Sequence, residues 1–241
     1  MALRLGFSAN AAHYGGDSAA LHQTRVGRAD RPGPKAVREL LDTPGSEDLW
    51  VFGYGSLMWN PGFDFVERVP ARLIGLHRAL CVYSFVHRGT PERPGLVLGL
   101  DRGGMCRGIA FRVAAAVRSE TVAYLRAREQ VTTVYLETIR RIELEEETRR
   151  QVRALCFIVD RGHVQYAGRL TLAECVHHVR QGHGRSGPNR AYVLETVQAL
   201  EALGYRESAL HLIAEKLQGH ASGHDPESSP VFRKDHAPPK V

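Results

Sequence analysis

The feature that most constrains this chain is the order of its hydrophobic patterns. From Leu49 to Val159 most apolar residues come in short runs rich in Val, Ile, Leu and aromatics, as strands do; from Thr171 to Leu217 they recur at helical spacing. Strands first and helices last, without regular alternation or internal repeats, predict an α+β fold. The expected core is a mixed, largely antiparallel, barrel-like sheet with C-terminal helices packed on it.

Within the strand region one stretch stands out, Val51-Phe52-Gly53-Tyr54-Gly55-Ser56-Leu57-Met58-Trp59-Asn60-Pro61. Leu49 to Phe52 suit a buried strand, and Gly53 and Gly55 open backbone conformations closed to other residues. Such a loop exposes successive N–H groups and the Ser56 hydroxyl, a shape for a small anion. A dinucleotide-binding turn is disfavoured, because the third glycine is missing and Pro61 and Gly62 interrupt the helix that must follow. A purely structural tight turn remains open at this point.

Two further strands are expected over Val69–Leu76 and Arg78–Val86, joined near Gly75, and a hairpin over Leu96–Leu100 and Cys106–Val113 around Asp101-Arg102-Gly103-Gly104. Ser119 to Arg128 switches to helical period and leaves Glu129 at a helix end, before strands over Val134–Leu144 and Val152–Val159. Thr171 and Glu174 form a capping box, and Pro188 starts a helix from Asn189 to Leu203 that Gly204 stops. A last helix runs from about Glu207 to Leu217. Three parts follow: residues 1–48, a mobile tail with a short helix near Ala36–Leu41; residues 49–218, the folded domain; and residues 219–241, a polar tail.

Of the 241 residues 43% are hydrophobic and 24% charged, ordinary for a globular protein, with no run of eighteen apolar residues and no secretory signal in the sequence as given. No membrane association is expected. Cys81, Cys106, Cys156 and Cys175 lie far apart in apolar segments, which fits reduced thiols in a cytoplasm. The net charge of +6 raises nucleic-acid binding as a rival. Yet Arg128, Arg140, Arg141, Arg149 and Arg150 alternate with glutamates, so a solvated face is the better reading and no nucleic-acid partner is expected. His177, His178 and His183 do not make a metal set, since adjacent helical residues point to different faces and no carboxylate or cysteine completes it.

Five blocks in register carry a resemblance: Val51–Trp59, Ser84–Gly95, Gly104–Ala110, Arg128-Glu129 and Gly184–Leu203. In this order they resemble ChaC-type γ-glutamylcyclotransferases over roughly Trp50 to Leu217. After Glu129 the segment Gln130–Tyr135 looks like the bacterial branch rather than the Gly-Gly-Tyr turn of animal members. The resemblance implies a cofactor-free, metal-free enzyme that cleaves glutathione to 5-oxoproline and Cys-Gly by attack of the substrate's own α-amine on its γ-carbonyl. It implies Glu129 as general acid/base; the residues alone favour an exposed carboxylate paired with Arg126 or Arg128. It implies that Gly53, Tyr54, Gly55, Ser56 and Leu57 bind the γ-glutamyl group, with Arg88 and Glu120 as further candidates. Tyr54 also reads as a core aromatic, and Arg88 and Arg190 as loop braces. The alternatives are a non-catalytic γ-glutamyl binding module on the same fold or a cyclotransferase for other γ-glutamyl compounds.

Overall fold

The structure is a computed structural model that describes residues 34–43 and 47–219. The tails expected before residue 34 and after residue 219 lie outside the described residues.

The sheet is a closed five-stranded barrel in the order β1, β3, β2, β4, β5. β1 (Leu49–Gly53) pairs antiparallel with β3 (Gly95–Val113) and parallel with β5 (Gln151–Val159). β2 (Glu67–Ser84) runs antiparallel to β3 and to β4 (Tyr135–Leu144), which in turn pairs with β5. The mixed, largely antiparallel barrel expected from the sequence is therefore present. Phe52, Phe111, Phe157, Ile109 and Leu155 are all buried, and the register sets Phe52 on the opposite face of the sheet from the other four, so both faces of the barrel wall are covered.

Two expected turns are absent. β2 and β3 are single strands of 18 and 19 residues, paired from Glu67↔Arg112 to Ser84↔Gly95. The register shifts between Ile74 and Leu76, where Gly75 (φ +87°) faces Gly103 (φ +97°) and Gly104 (φ +67°). These glycines make a bulge at which the ladder bends without reversing. The true hairpin connection is the irregular segment 85–94.

α1 (Pro34–Asp42), the short helix expected near Ala36–Leu41, buries Val37 and Leu41 in the main core. Arg118 donates to its Leu40 carbonyl at 2.8 Å, and Arg126 bridges Asp42 and Glu137. α2 (Arg118–Glu129) precedes β4, and α3 (Leu172–Gln181), α4 (Asn189–Ala202) and α5 (Ser208–Gln218) close the chain. Thr171 and Glu174 form the expected capping box on α3. All four cysteines are buried and free. No helix among the described residues is long and apolar enough to cross a membrane.

Candidate active site

β1 leaves the barrel at Gly53 and turns through a single 3₁₀ turn, Ser56–Met58, with Gly55 before it. Neither Gly53 nor Gly55 takes a positive φ, contrary to expectation. At Gly53 closeness favours glycine, since a Cβ there would lie 3.0 Å from Leu57 Cβ and 3.2 Å from the Phe111 ring; at Gly55 a Cβ would make only ordinary contact, 3.4 Å from the Tyr192 hydroxyl. The opening amides of such a turn have no intrahelical acceptor.

This loop forms one wall of a cavity of about 730 Å³. The others are the β2 end with segment 85–88, the β3 start, the C-terminal end of α2, segment 131–135, Gln165, Ser186 and α4 at Tyr192 and Glu195. Of the expected site residues the cavity collects Tyr54, Gly55, Ser56, Leu57, Arg88 and Glu129. It does not collect Gly53, which stays in the ladder opposite Ile109, or Glu120, which is exposed in the first turn of α2, at the other end of the helix from Glu129. Twelve-residue α2 places those carboxylates nine residues apart, roughly 13 Å along its axis.

Glu129 is the last residue of α2, its side chain 19% exposed. Burial raises its pKa above the ordinary carboxylate value, and Arg128, whose Nε lies 3.3 Å from Oε1, opposes the rise. The Arg128 pairing weighed from the sequence therefore coexists with a cavity position. Arg128 also donates to the Asn60 carbonyl (2.7 Å), the Tyr124 hydroxyl (2.9 Å) and Ser56 Oγ (2.9 Å), which ties α2 to the glycine loop. Sequence reasoning placed it on a solvated face; its adjacency to Glu129 was the available signal.

Three tyrosines surround the carboxylate's field. Burial raises the pKa of Tyr54, Tyr135 and Tyr192, and the Glu129 charge adds to it in each. They stay protonated, and so can donate. Tyr135 spends its proton on the Leu98 carbonyl at 2.7 Å, whereas Tyr192 accepts from Leu98 N–H at 3.2 Å and keeps its own proton. Tyr135 and Tyr192 were missed as site residues, because nothing in their local spacing marks them.

Arg88 stacks over the Tyr192 ring at 5.4 Å and donates to the Pro188 carbonyl at 3.2 Å, so it both braces and lines the cavity. Arg190 does not line it, and its Nε donates to the Leu217 carbonyl at 3.4 Å. His177, His178 and His183 are likewise outside the lining. The arrangement offers one partly buried carboxyl, two cations and phenol donors around a cavity sized for a small molecule. It suits proton transfer on an anionic ligand.

Residues 49–219 match the family model for ChaC-like proteins. The chain is 31% identical over 192 residues to the glutathione-specific gamma-glutamylcyclotransferase of Escherichia coli strain K12, covering 80% of this chain and 82% of that one. It is 29% identical over 187 residues to the enzyme so named in Schizosaccharomyces pombe, covering 68% and 88%. A crystal structure of a glutathione-specific γ-glutamyl cyclotransferase from yeast superposes with a TM-score of 0.66 at 22% identity, over 72% of this chain and 98% of that one, a likeness of fold.

Proposed function

The chain belongs to the ChaC-like family, and from that membership we propose that it is a cyclotransferase that cleaves glutathione to 5-oxoproline and Cys-Gly. The observation that carries the reading is Glu129, a carboxyl whose pKa burial raises, at the wall of the cavity that the glycine loop also lines.

Glutathione enters with its α-ammonium protonated, which cannot attack a carbonyl. Glu129 takes one proton, and the freed amine adds to the γ-carbonyl carbon of the same molecule. The new C–N bond closes a five-membered ring and the amide bond to cysteine breaks. Glu129 returns that proton to the leaving nitrogen, the attacking nitrogen sheds a second proton as it becomes the lactam N–H, and the released amine takes that one up, so Cys-Gly departs as an ammonium and no water is consumed. Because nucleophile and electrophile share one molecule, the larger task is to hold the γ-glutamyl group in a ring-closing pose. The Tyr54–Leu57 backbone and the Ser56 hydroxyl supply donors for its carboxylate, and the Tyr54 and Tyr192 phenols supply donors for the carbonyl oxygen as it gains charge. Arg88 stands at the same wall to meet the peptide's distal carboxylate.

We place the reaction in the cytoplasm, where free buried thiols such as these four persist. The test is to incubate the protein and its Glu129→Gln variant with reduced glutathione and quantify 5-oxoproline and Cys-Gly. Equal yields of both products, lost by about 100-fold or more in the variant, are expected. Binding of glutathione with no product from it or from any other γ-glutamyl compound would instead make the chain a binding module.

A further inference from the structure

Arg78 is a buried cation that the reaction as written does not use. Its side chain, from β2, is fully enclosed. Nε donates to the Tyr54 carbonyl at 2.5 Å, Nη2 to the Arg107 carbonyl at 2.5 Å, and Nη1 pairs with Glu207, the residue just before α5. Met58 Sδ lies 3.7 Å from Nη2. A buried guanidinium needs its donors filled, and here two are spent on main-chain carbonyls.

The Tyr54 carbonyl belongs to the peptide that opens the glycine loop. That peptide is planar and trans, so its C=O and the Gly55 N–H point in opposite directions. Arg78 is outside the cavity lining, whereas Gly55 is part of it. Holding the carbonyl on Arg78 turns the Gly55 N–H towards the cavity. We propose that Arg78, itself held by Glu207, is a positioning residue that aims the Gly55 N–H at the α-carboxylate of the bound γ-glutamyl group. α5 thereby fixes a donor in a site it does not border. This rests on the cyclotransferase reading of the cavity.

Lysine at this position keeps the charge but not the planar fork that reaches three partners at once. In Arg78→Lys the KM for glutathione is expected to rise about tenfold with kcat changed much less, the pattern of a lost ground-state contact. The ¹⁵N–¹H resonance of Gly55 is expected to move, while that of Gly204 stays. A folded Arg78→Lys protein with wild-type KM and an unmoved Gly55 resonance overturns the proposal. Should that variant fail to fold, Glu207→Gln reads the same link, with a smaller rise in KM and a Gly55 shift expected, and neither change overturning it. An unmutated protein that releases no 5-oxoproline overturns the cyclotransferase reading instead, and the Gly55 resonance then decides the Arg78 link alone.

Discussion

Burial of Glu129, the proposed base, predicts opposite pH dependences for activity and for stability. A carboxyl whose folded pKa is raised must lose its proton to act as base, so kcat/KM is expected to fall on acidification with its inflection above the usual value of 4.5. The stability effect runs the other way. The raised pKa contributes nothing adverse below 4.5 and costs stability as pH rises through the folded value, because the buried charge is poorly solvated. Glu129→Gln, which carries no charge, is thus expected to gain melting temperature over the unmutated protein at pH 7 and to lose that advantage near pH 4, measured by thermal scans. That Glu129 belongs with the glycine loop was expected from the resemblance carried by the Arg-Glu element; the phenols beside it were not expected. Tyr135 and Tyr192 come from β4 and α4, and only folding makes them neighbours of α2.

The segment between α3 and α4 illustrates how a connection shapes a cavity. Arg185 and Ser186 donate their N–H groups to the carbonyls of Val86 and His87, at 2.8 and 2.9 Å. A Cβ at Gly184 would lie 2.4 Å from the Val86 oxygen, so only glycine permits this approach. Asn189, fully buried, accepts from Leu96 N–H at 2.6 Å and donates to the Leu96 carbonyl at 2.7 Å, filling the backbone groups of β3 on the edge away from β2. Asn189→Ala leaves both groups unpaired and is expected to cost about 2–4 kcal/mol in urea unfolding, with a loss of cleavage as the Arg88 segment loosens. The Pro188 helix start and the capping box were readable because caps are local chemistry. The bulge at Gly75 was not, since tight turns and bulges ask for the same positive φ from the same residue.

Barrel closure joins segments distant in the sequence, and it also recruits α1. Leu41 is fully buried in the main core, so Leu41→Ala is expected to lower unfolding free energy by about 2–4 kcal/mol in denaturant titration; a change within 0.5 kcal/mol, about what an exposed position shows, would mean α1 does not dock. The α+β class, the order of elements and the helix starts follow from the chain read alone, because period and capping are properties of near neighbours; the candidate base comes from the family resemblance, since the residues alone favour an exposed carboxylate. The continuity of β2 and β3, the parallel β1–β5 seam and the exclusion of Glu120 and Gly53 from the cavity do not follow from the chain alone. Those depend on which distant backbone groups find hydrogen-bond partners when the sheet closes on itself, and no local pattern encodes that pairing.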